Sequence, residues 1–304
     1  MRSAAIMAAT ILAASLAWGQ TNTTSAQGSS TGKAQAAPGS PRVLQAKSQE
    51  ELKAYQDAFA KTEPAALEAA ADDFSAKYPN SELRASLYIR AMNLYSQSNN
   101  AEKVIVTGEK AIADDPTNPI PLVQVASAIT ETTRDTDLDR EQQLALAAKD
   151  AHAAIDNIDT GLIIPANADP QRVAGAKRSI LTMAYDTLGM IDLNKKDYSS
   201  AAQNLQKAID ENKTNPDPVL YLRLSVAQDH MQQYSQALDS ANKALQYSKD
   251  GSATQNLAKQ QQARVQKLMA AAAPAAGAPA PTPSPVPNSA PGQSPVPTSP
   301  TTPH

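Results

Sequence analysis

Cysteine is absent from all 304 residues, so the chain can form no disulfide and offers no thiolate nucleophile. The same absence excludes a lipoprotein, whose acyl anchor needs a cysteine at the cleavage site. Aromatic residues make up 4%, and the single Trp is Trp18. Histidine occurs three times, as His152, His230 and His304. None has a second metal ligand at one-turn spacing in a plausible cluster, and His152 falls on the outward side of its helical stripe. A formal charge of −3 leaves no basic footprint for nucleic acid. A mean hydropathy of −0.41 argues against a multispanning membrane protein. No strand pattern is present, so no Gly-rich phosphate loop follows a strand. Asp135-x-Asp137-x-Asp139 hints at a calcium loop, but Arg140 and Leu146 stand where that loop needs Gly and a bidentate Glu. It reads as a polar turn, with Asp139 capping the next helix. The acid pairs Asp72-Asp73 and Asp114-Asp115 read as solvated helix faces or ends. Nothing in this inventory supports an enzyme, and no cofactor or metal is called for.

What is present is helical periodicity. From Thr182 to Lys213 the sequence reads as two amphipathic helices joined by a tight turn. Tyr185, Leu188, Gly189 and Ile191 share one face of the first; Ala201, Leu205, Ala208 and Ile209 share one face of the second. Asp197 suits the N-cap of the second helix, where its carboxylate can accept from first-turn amides. A lone hairpin cannot bury both stripes, so it needs neighbours. Tyr221, Leu224, Ser225, Tyr234, Ala237, Ala241 and Ala244 follow the order of Tyr185, Leu188, Gly189, Tyr198, Ala201, Leu205 and Ala208. Each pair keeps the same interval, as 244 − 208 = 36. A fixed period of that size points to a solenoid.

These residues resemble the tetratricopeptide repeat, which has Leu-Gly in its first helix and Ala-x-x-x-Phe in its second. Leu188-Gly189 and Ala201-x-x-x-Leu205 carry the resemblance. Tyr185 stands where Trp is usual, Ser225 where Gly is usual, and Lys213 and Lys249 where Pro commonly ends the unit. Phe74-x-x-x-Tyr78-Pro79-x-Ser81 is similar to the repeat ends of exported bacterial tetratricopeptide proteins. Ala111-Ile112-Ala113-Asp114-Asp115-Pro116 matches the family's terminator.

The expected fold class is therefore all-α, an α-solenoid of tetratricopeptide-like helix-turn-helix repeats between disordered N- and C-terminal segments. Residues 1–19 read as a signal peptide, with Arg2, an apolar run from Ala4 to Trp18, and Ala17-Trp18-Gly19 at the cleavage site. The alternative is an uncleaved anchor, although the run is shorter than the ~20 residues a spanning helix needs. Residues 20–47 read as a disordered linker rich in Ser, Thr, Gln, Gly and Ala. Residues 48–272 hold about five helix pairs and a capping helix. The first helix starts at a Ser48-x-x-Glu51 capping box. Asn99 or Asn100 caps the second helix of the next unit, and Thr132 to Arg140 forms a longer polar turn in the third. Gly161 to Pro170 breaks the pattern, as an insertion that can shape a binding surface on one face. Another capping box, Ser252 and Gln255, opens a mostly polar end helix. Residues 273–304 form an Ala/Pro-rich disordered tail; they hold eleven of the 22 prolines and no Asp, Glu, Lys or Arg. Such a tail favours extended polyproline II.

The resemblance implies a groove lined by the first helices. In one unit it maps to Met183, Asp186, Met190, Leu193 and Asn194, and in the next to Val219, Leu222, Val226, Asp229 and His230. Met183, Met190, Leu222 and Val226 would make it apolar and adaptable, suited to an extended peptide or a partner helix. The alternative is that the capping helix or a neighbouring repeat covers some of them. The expected function is a non-enzymatic, exported adaptor or scaffold, periplasmic or secreted. It would bind a protein or peptide partner and no nucleic acid, without stable membrane insertion after signal cleavage. Two further readings stay open: a structural cell-envelope spacer acting through its Pro-rich tail, and an accessory subunit of an exported enzyme.

Overall fold

A computed structural model describes residues 44–165 and 167–272. The leader 1–19, most of the linker 20–47, and the tail 273–304 lie outside them. Among the described residues the chain forms α1 (Gln49–Phe59), α2 (Pro64–Lys77), α3 (Arg84–Gln97), α4 (Ala101–Asp114), α5 (Pro119–Thr132), α6 (Arg140–Asp156), α7 (Pro170–Asn194), α8 (Tyr198–Glu211), α9 (Pro218–His230), α10 (Tyr234–Tyr247) and α11 (Ala253–Ala272). Five antiparallel hairpins, α1/α2 through α9/α10, stack in sequence, and α11 closes the row. Within each hairpin the helices pack on one another, and each second helix also packs on the first helix of the next hairpin. This is an α-solenoid of tetratricopeptide-like hairpins, with odd-numbered helices along one side and even-numbered helices along the other.

Local chemistry sets the boundaries. Pro64, Pro119, Pro170 and Pro218 occupy the first turns of α2, α5, α7 and α9, where a missing N–H costs nothing. Ser48, Asn100, Asp169, Asp197 and Asp217 cap with their side chains, each accepting from a first-turn amide. Of Asn99 and Asn100, it is Asn100 that caps. Asp139 departs from expectation: it caps no amide of α6, and its Oδ2 instead accepts from the Gln143 side chain at 2.9 Å. Ordered packing also begins before Ser48, since Leu44 and Ala46 lie against the α1/α2/α3 core.

The turns between paired helices repeat in detail. Asn99, Lys196 and Gln232 adopt left-handed backbone with φ of 56°, 62° and 61°. Following them, Asn100, Asp197 and Gln233 each donate a backbone N–H to the carbonyl five residues back. This is the reversal that satisfies the last carbonyls of a helix. The helices keep the same registers. α10 lies 133 positions after α4 (234 against 101, 247 against 114) and 36 after α8 (234 against 198, 247 against 211).

Close contact between paired helices falls at one equivalent crossing. In α3/α4 it is Met92 against Gly108, where a Cβ on Gly108 would lie 2.9 Å from Met92 Sδ and 2.2 Å from Val125 Cγ2 of α5. In α7/α8 it is Gly189 against Leu205, where a Cβ on Gly189 would lie 2.7 Å from Leu205 Cγ. In α9/α10 the pair is Ser225 and Ala241, both fully buried, and the Ser225 hydroxyl donates to Ala237 O at 2.7 Å. One helix supplies the bulk and the other the gap, and which does so changes from hairpin to hairpin.

The first three helices after α1 are locked by a polar network. Glu68 of α2 is 8% exposed and accepts from Tyr95 Oη at 2.8 Å and from Lys103 and Lys110 of α4, each at 3.1 Å. Asp72 accepts from Tyr88 Oη and Lys110, both at 2.8 Å. The solvated reading of Asp72 is thereby corrected, because α4 carries a cation directly opposite. Asp114, likewise, pairs with Arg84 at 2.8 Å, and Asp115 is buried. Burial pushes the Glu68 carboxyl up, but the bonds from Tyr95, Lys103 and Lys110 outweigh it and hold the group below the ordinary 4.5. Burial and the bond to Glu68 push the Tyr95 phenol up to about 12. A lowered folded-state value means that Glu68 contributes stability fully above the ordinary glutamate range. That contribution is lost as pH falls from 4.5 through the lower folded value. Glu68→Gln should therefore lower stability at pH 7 and flatten the acid side of a denaturation-versus-pH profile. An unchanged acid limb would refute the assignment.

The expected polar turn falls where the sequence put it, between the end of α5 at Thr132 and the start of α6 at Arg140, and both irregular segments are anchored. The Thr132–Arg140 turn is tied down: Arg140 Nη2 donates to Asn194 O at the end of α7, and its Nε lies 3.5 Å from Asp135. A cation on the last carbonyls of a helix is favourable, and it occupies the acidic turn. Gly161 to Pro170 is not an open insertion. Leu162 is buried with Leu122, Val123 and Ile180, and Ile158 and Ile164 pack beside it. These side chains pack on the start of α5 and the middle of the long α7, beside Ala154 of α6. At the head of this segment Leu162 is thus a piece of core.

Candidate functional site

The odd-numbered side of the solenoid is the candidate surface, and it is stitched from helix to helix. Ser86 of α3 donates to Tyr55 Oη of α1 at 3.2 Å, and the Arg90 guanidinium lies 4.3 Å over the Phe59 ring. Gln124 of α5 donates to Asn93 of α3 at 3.0 Å. α5 and α7 join through apolar packing of Val125 and Ile129 with Leu188 and Ile191. Arg223 of α9 ion-pairs with Asp186 of α7. Arg264 of α11 donates to Asp229 of α9 at 2.7 Å.

The residues mapped to the groove do not all gather there. Met190, Leu222 and Val226 are half-buried on α7 and α9. Asp186 accepts from Arg223 through Oδ2, while its Oδ1 is buried without a partner. Met183 leans into the core around Leu122 and Ile180, and Leu193 into the core around Leu205, Leu220 and Leu224. Val219 is half-buried at the start of α9, with its N–H donated to Asp217. Asn194 uses its carbonyl for Arg140. His230 stacks flat on Tyr198 of α8, with ring centroids 4.2 Å apart and planes within 4°. Asp229 is closed to any ligand: it is 4% exposed and occupied by Arg264 and by Gln261, whose amide donates at 3.2 Å. α11 stacks as a sixth first helix and brings a cation opposite it, so the end helix covers this position.

The charged centre of this surface was not visible in the sequence. Arg223 lies within electrostatic reach of Glu131 on α5 and Asp217 at the α9 cap, besides Asp186. Lost solvation works against its charge, but the three carboxylates hold its pKa above the ordinary arginine value. Lost solvation raises the carboxyls of Glu131 and Asp217. Three acids around one guanidinium leave the patch negative, with Met190, Leu222 and Val226 beside it. Chemically this surface offers apolar contact and a few charged hydrogen bonds.

Among the described residues, no group of three or more metal-ligating side chains is placed to hold an ion. No helix among them is long and apolar enough to cross a membrane. No protein-family model matches the chain, and no curated protein does. Among solved structures it is similar to a crystal structure of MamA protein. That match has a TM-score of 0.44 and 17% identity over 65% of this chain and 92% of that one. It is also similar to the assembly chaperone of RpL4 (Acl4), residues 1–338. There the TM-score is 0.36 and the identity 10% over 74% of this chain and 98% of that one.

Proposed function

We propose that this chain is an exported, non-enzymatic adaptor or scaffold of the tetratricopeptide-repeat family that holds a polypeptide against the first-helix side of its solenoid. The observation that carries the reading is the arrangement on α7 and α9. Met190, Leu222 and Val226 stay half-exposed there, although the opposite faces of both helices are packed against α8 and α10. Around them lie Asp186, Arg223, Glu131 and Asp217, which can orient a bound chain by charge. Residues 44–272 form the binding domain in this proposal. Residues 1–19 direct export and are removed, 20–43 act as a spacer, and 273–304 form a proline-rich tail.

Cross-linked capture from an envelope extract, read by mass spectrometry, tests the proposal with three chains: the full chain, one lacking residues 274–304, and Leu222→Glu/Val226→Glu. Partners should persist without the tail and disappear from the double variant. Partners lost with the tail and kept by the double variant would overturn the groove reading and favour the spacer acting through its prolines.

A further inference from the structure

On the other side of the solenoid, the molecule contains two versions of one site, and they hold their acids differently. The first version is the Glu68/Asp72 network between α2 and α4, over α3. α8 lies 134 positions after α2 (198 against 64, 211 against 77), while the ends of α9 and α10 follow those of α3 and α4 at 133 (230 against 97, 247 against 114). In this register Tyr88 becomes Tyr221 and Lys110 becomes Lys243, so a phenol and an ammonium are kept. Tyr95 and Lys103 become Gln228 and Gln236, which are shorter donors. Neither acid is kept at its own position: Glu68 becomes Ala202 and Asp72 becomes Gln206. Where the carboxylates stood, a cleft of about 440 Å³ opens between α8 and α10, with Tyr221 and Leu224 in its floor.

Asp210 and Asp239 line the cleft as well, each beside a lysine of its own helix, and the donors left over are the Tyr221 hydroxyl and the Gln228 amide. No hydrogen bond to another described residue is made by the Tyr221 hydroxyl. Gln228 accepts from Ser240 at 2.7 Å, which turns its amide nitrogen free to donate. Lys243 pairs at 2.8 Å with Asp239 on its own helix, and Lys213 at 3.2 Å with Asp210 on its own. Both pairs are largely solvent-exposed, so they hold weakly, and an ammonium retains further donors. We infer that the α8/α9/α10 cleft binds a carboxylate side chain of a partner polypeptide, seated between Tyr221 and Lys243 as Asp72 is seated between Tyr88 and Lys110. This site lies across the solenoid from the first-helix surface and does not depend on it.

Titrating the full chain with a capped hexaglutamate peptide tests the inference, followed by calorimetry and by NMR shifts of the Gln228 and Gln236 side-chain amides. Hexaglutamate should bind and move those amides, and capped hexaglutamine should bind at least tenfold more weakly. Ala202→Glu/Gln206→Asp supplies the acids internally, and should lower hexaglutamate affinity at least tenfold while keeping or raising Tm. Lys243→Met, a change at an exposed side chain, should weaken binding similarly. Leu222→Glu on the opposite side should leave it unchanged. Absent amide shifts, equal binding of hexaglutamine, or undiminished binding to the acid-restored and Lys243→Met chains would overturn the inference.

Discussion

Gly189→Ser and Leu205→Ala should each destabilise the solenoid alone and compensate one another together. A Cβ on Gly189 meets Leu205 Cγ at 2.7 Å and Cδ2 at 2.9 Å, so Ser forces Leu205 off its seat. Overpacking of this kind costs about 1–3 kcal/mol, offset in part by the better helix propensity of Ser. Leu205 is fully buried, so its truncation to Ala should cost about 2–5 kcal/mol through lost burial and a cavity. The double variant, however, reproduces the Ser225/Ala241 crossing one repeat later. Its Ser hydroxyl would find Ala201 O, the counterpart of Ala237 O, because a Cβ at 189 already lies 3.5 Å from that carbonyl. Denaturant unfolding of the four chains should therefore give a favourable coupling of about 1 kcal/mol or more. Costs that simply add would refute the claim that the two positions share one volume.

That crossing also shows what a sequence discloses and what it withholds. Leu188-Gly189 and Ala201-x-x-x-Leu205 were legible because helical spacing is local, and so were the caps at Ser48, Asn100 and Asp197, which act within three residues. The period of 36 disclosed the stacking, since each hairpin repeats the same buried stripe. What stayed hidden joins different helices. Asp72 meets Lys110, and Asp186 meets Arg223, through helix packing with no local signature. The same limit explains the groove. Periodicity says that Asp229 shares a face with Val226 and Leu222, but the occupant of that face at Asp229 is α11, dozens of residues further on. His230 was placed by its register, yet Tyr198 of the preceding hairpin takes its ring. Of the mapped residues, Asp186, Met190, Leu222 and Val226 keep a place on the candidate surface.

Gly161→Ala should be among the most damaging single-methyl additions in the chain, and Gly175→Ala, nearby in sequence, should be harmless or stabilising. An added Cβ at Gly161 would lie 1.8 Å from Thr117 O and 2.7 Å from Thr117 C. Both atoms belong to backbone, which cannot swing aside as the end of a side chain can. Thr117 immediately precedes Asn118, which is fully buried and caps α5 by accepting from Ile120 N at 3.1 Å. Relief must come from the other partner, the segment that seats Leu162 and Ile164 over α5 and α7. Unseating those side chains forfeits most of their burial, about 1.5–3 kcal/mol for each. The expected loss is about 3 kcal/mol or more, with hydrogen-exchange protection falling first in residues 157–164 and in the opening turns of α7. Gly175 sits in α7 with nothing within 4 Å of an added methyl, so Ala there gains helix propensity of up to about 1 kcal/mol. Equal stabilities for the two variants would show that the 157–164 segment is a loose connection. A wide gap between them would show that it is part of the core.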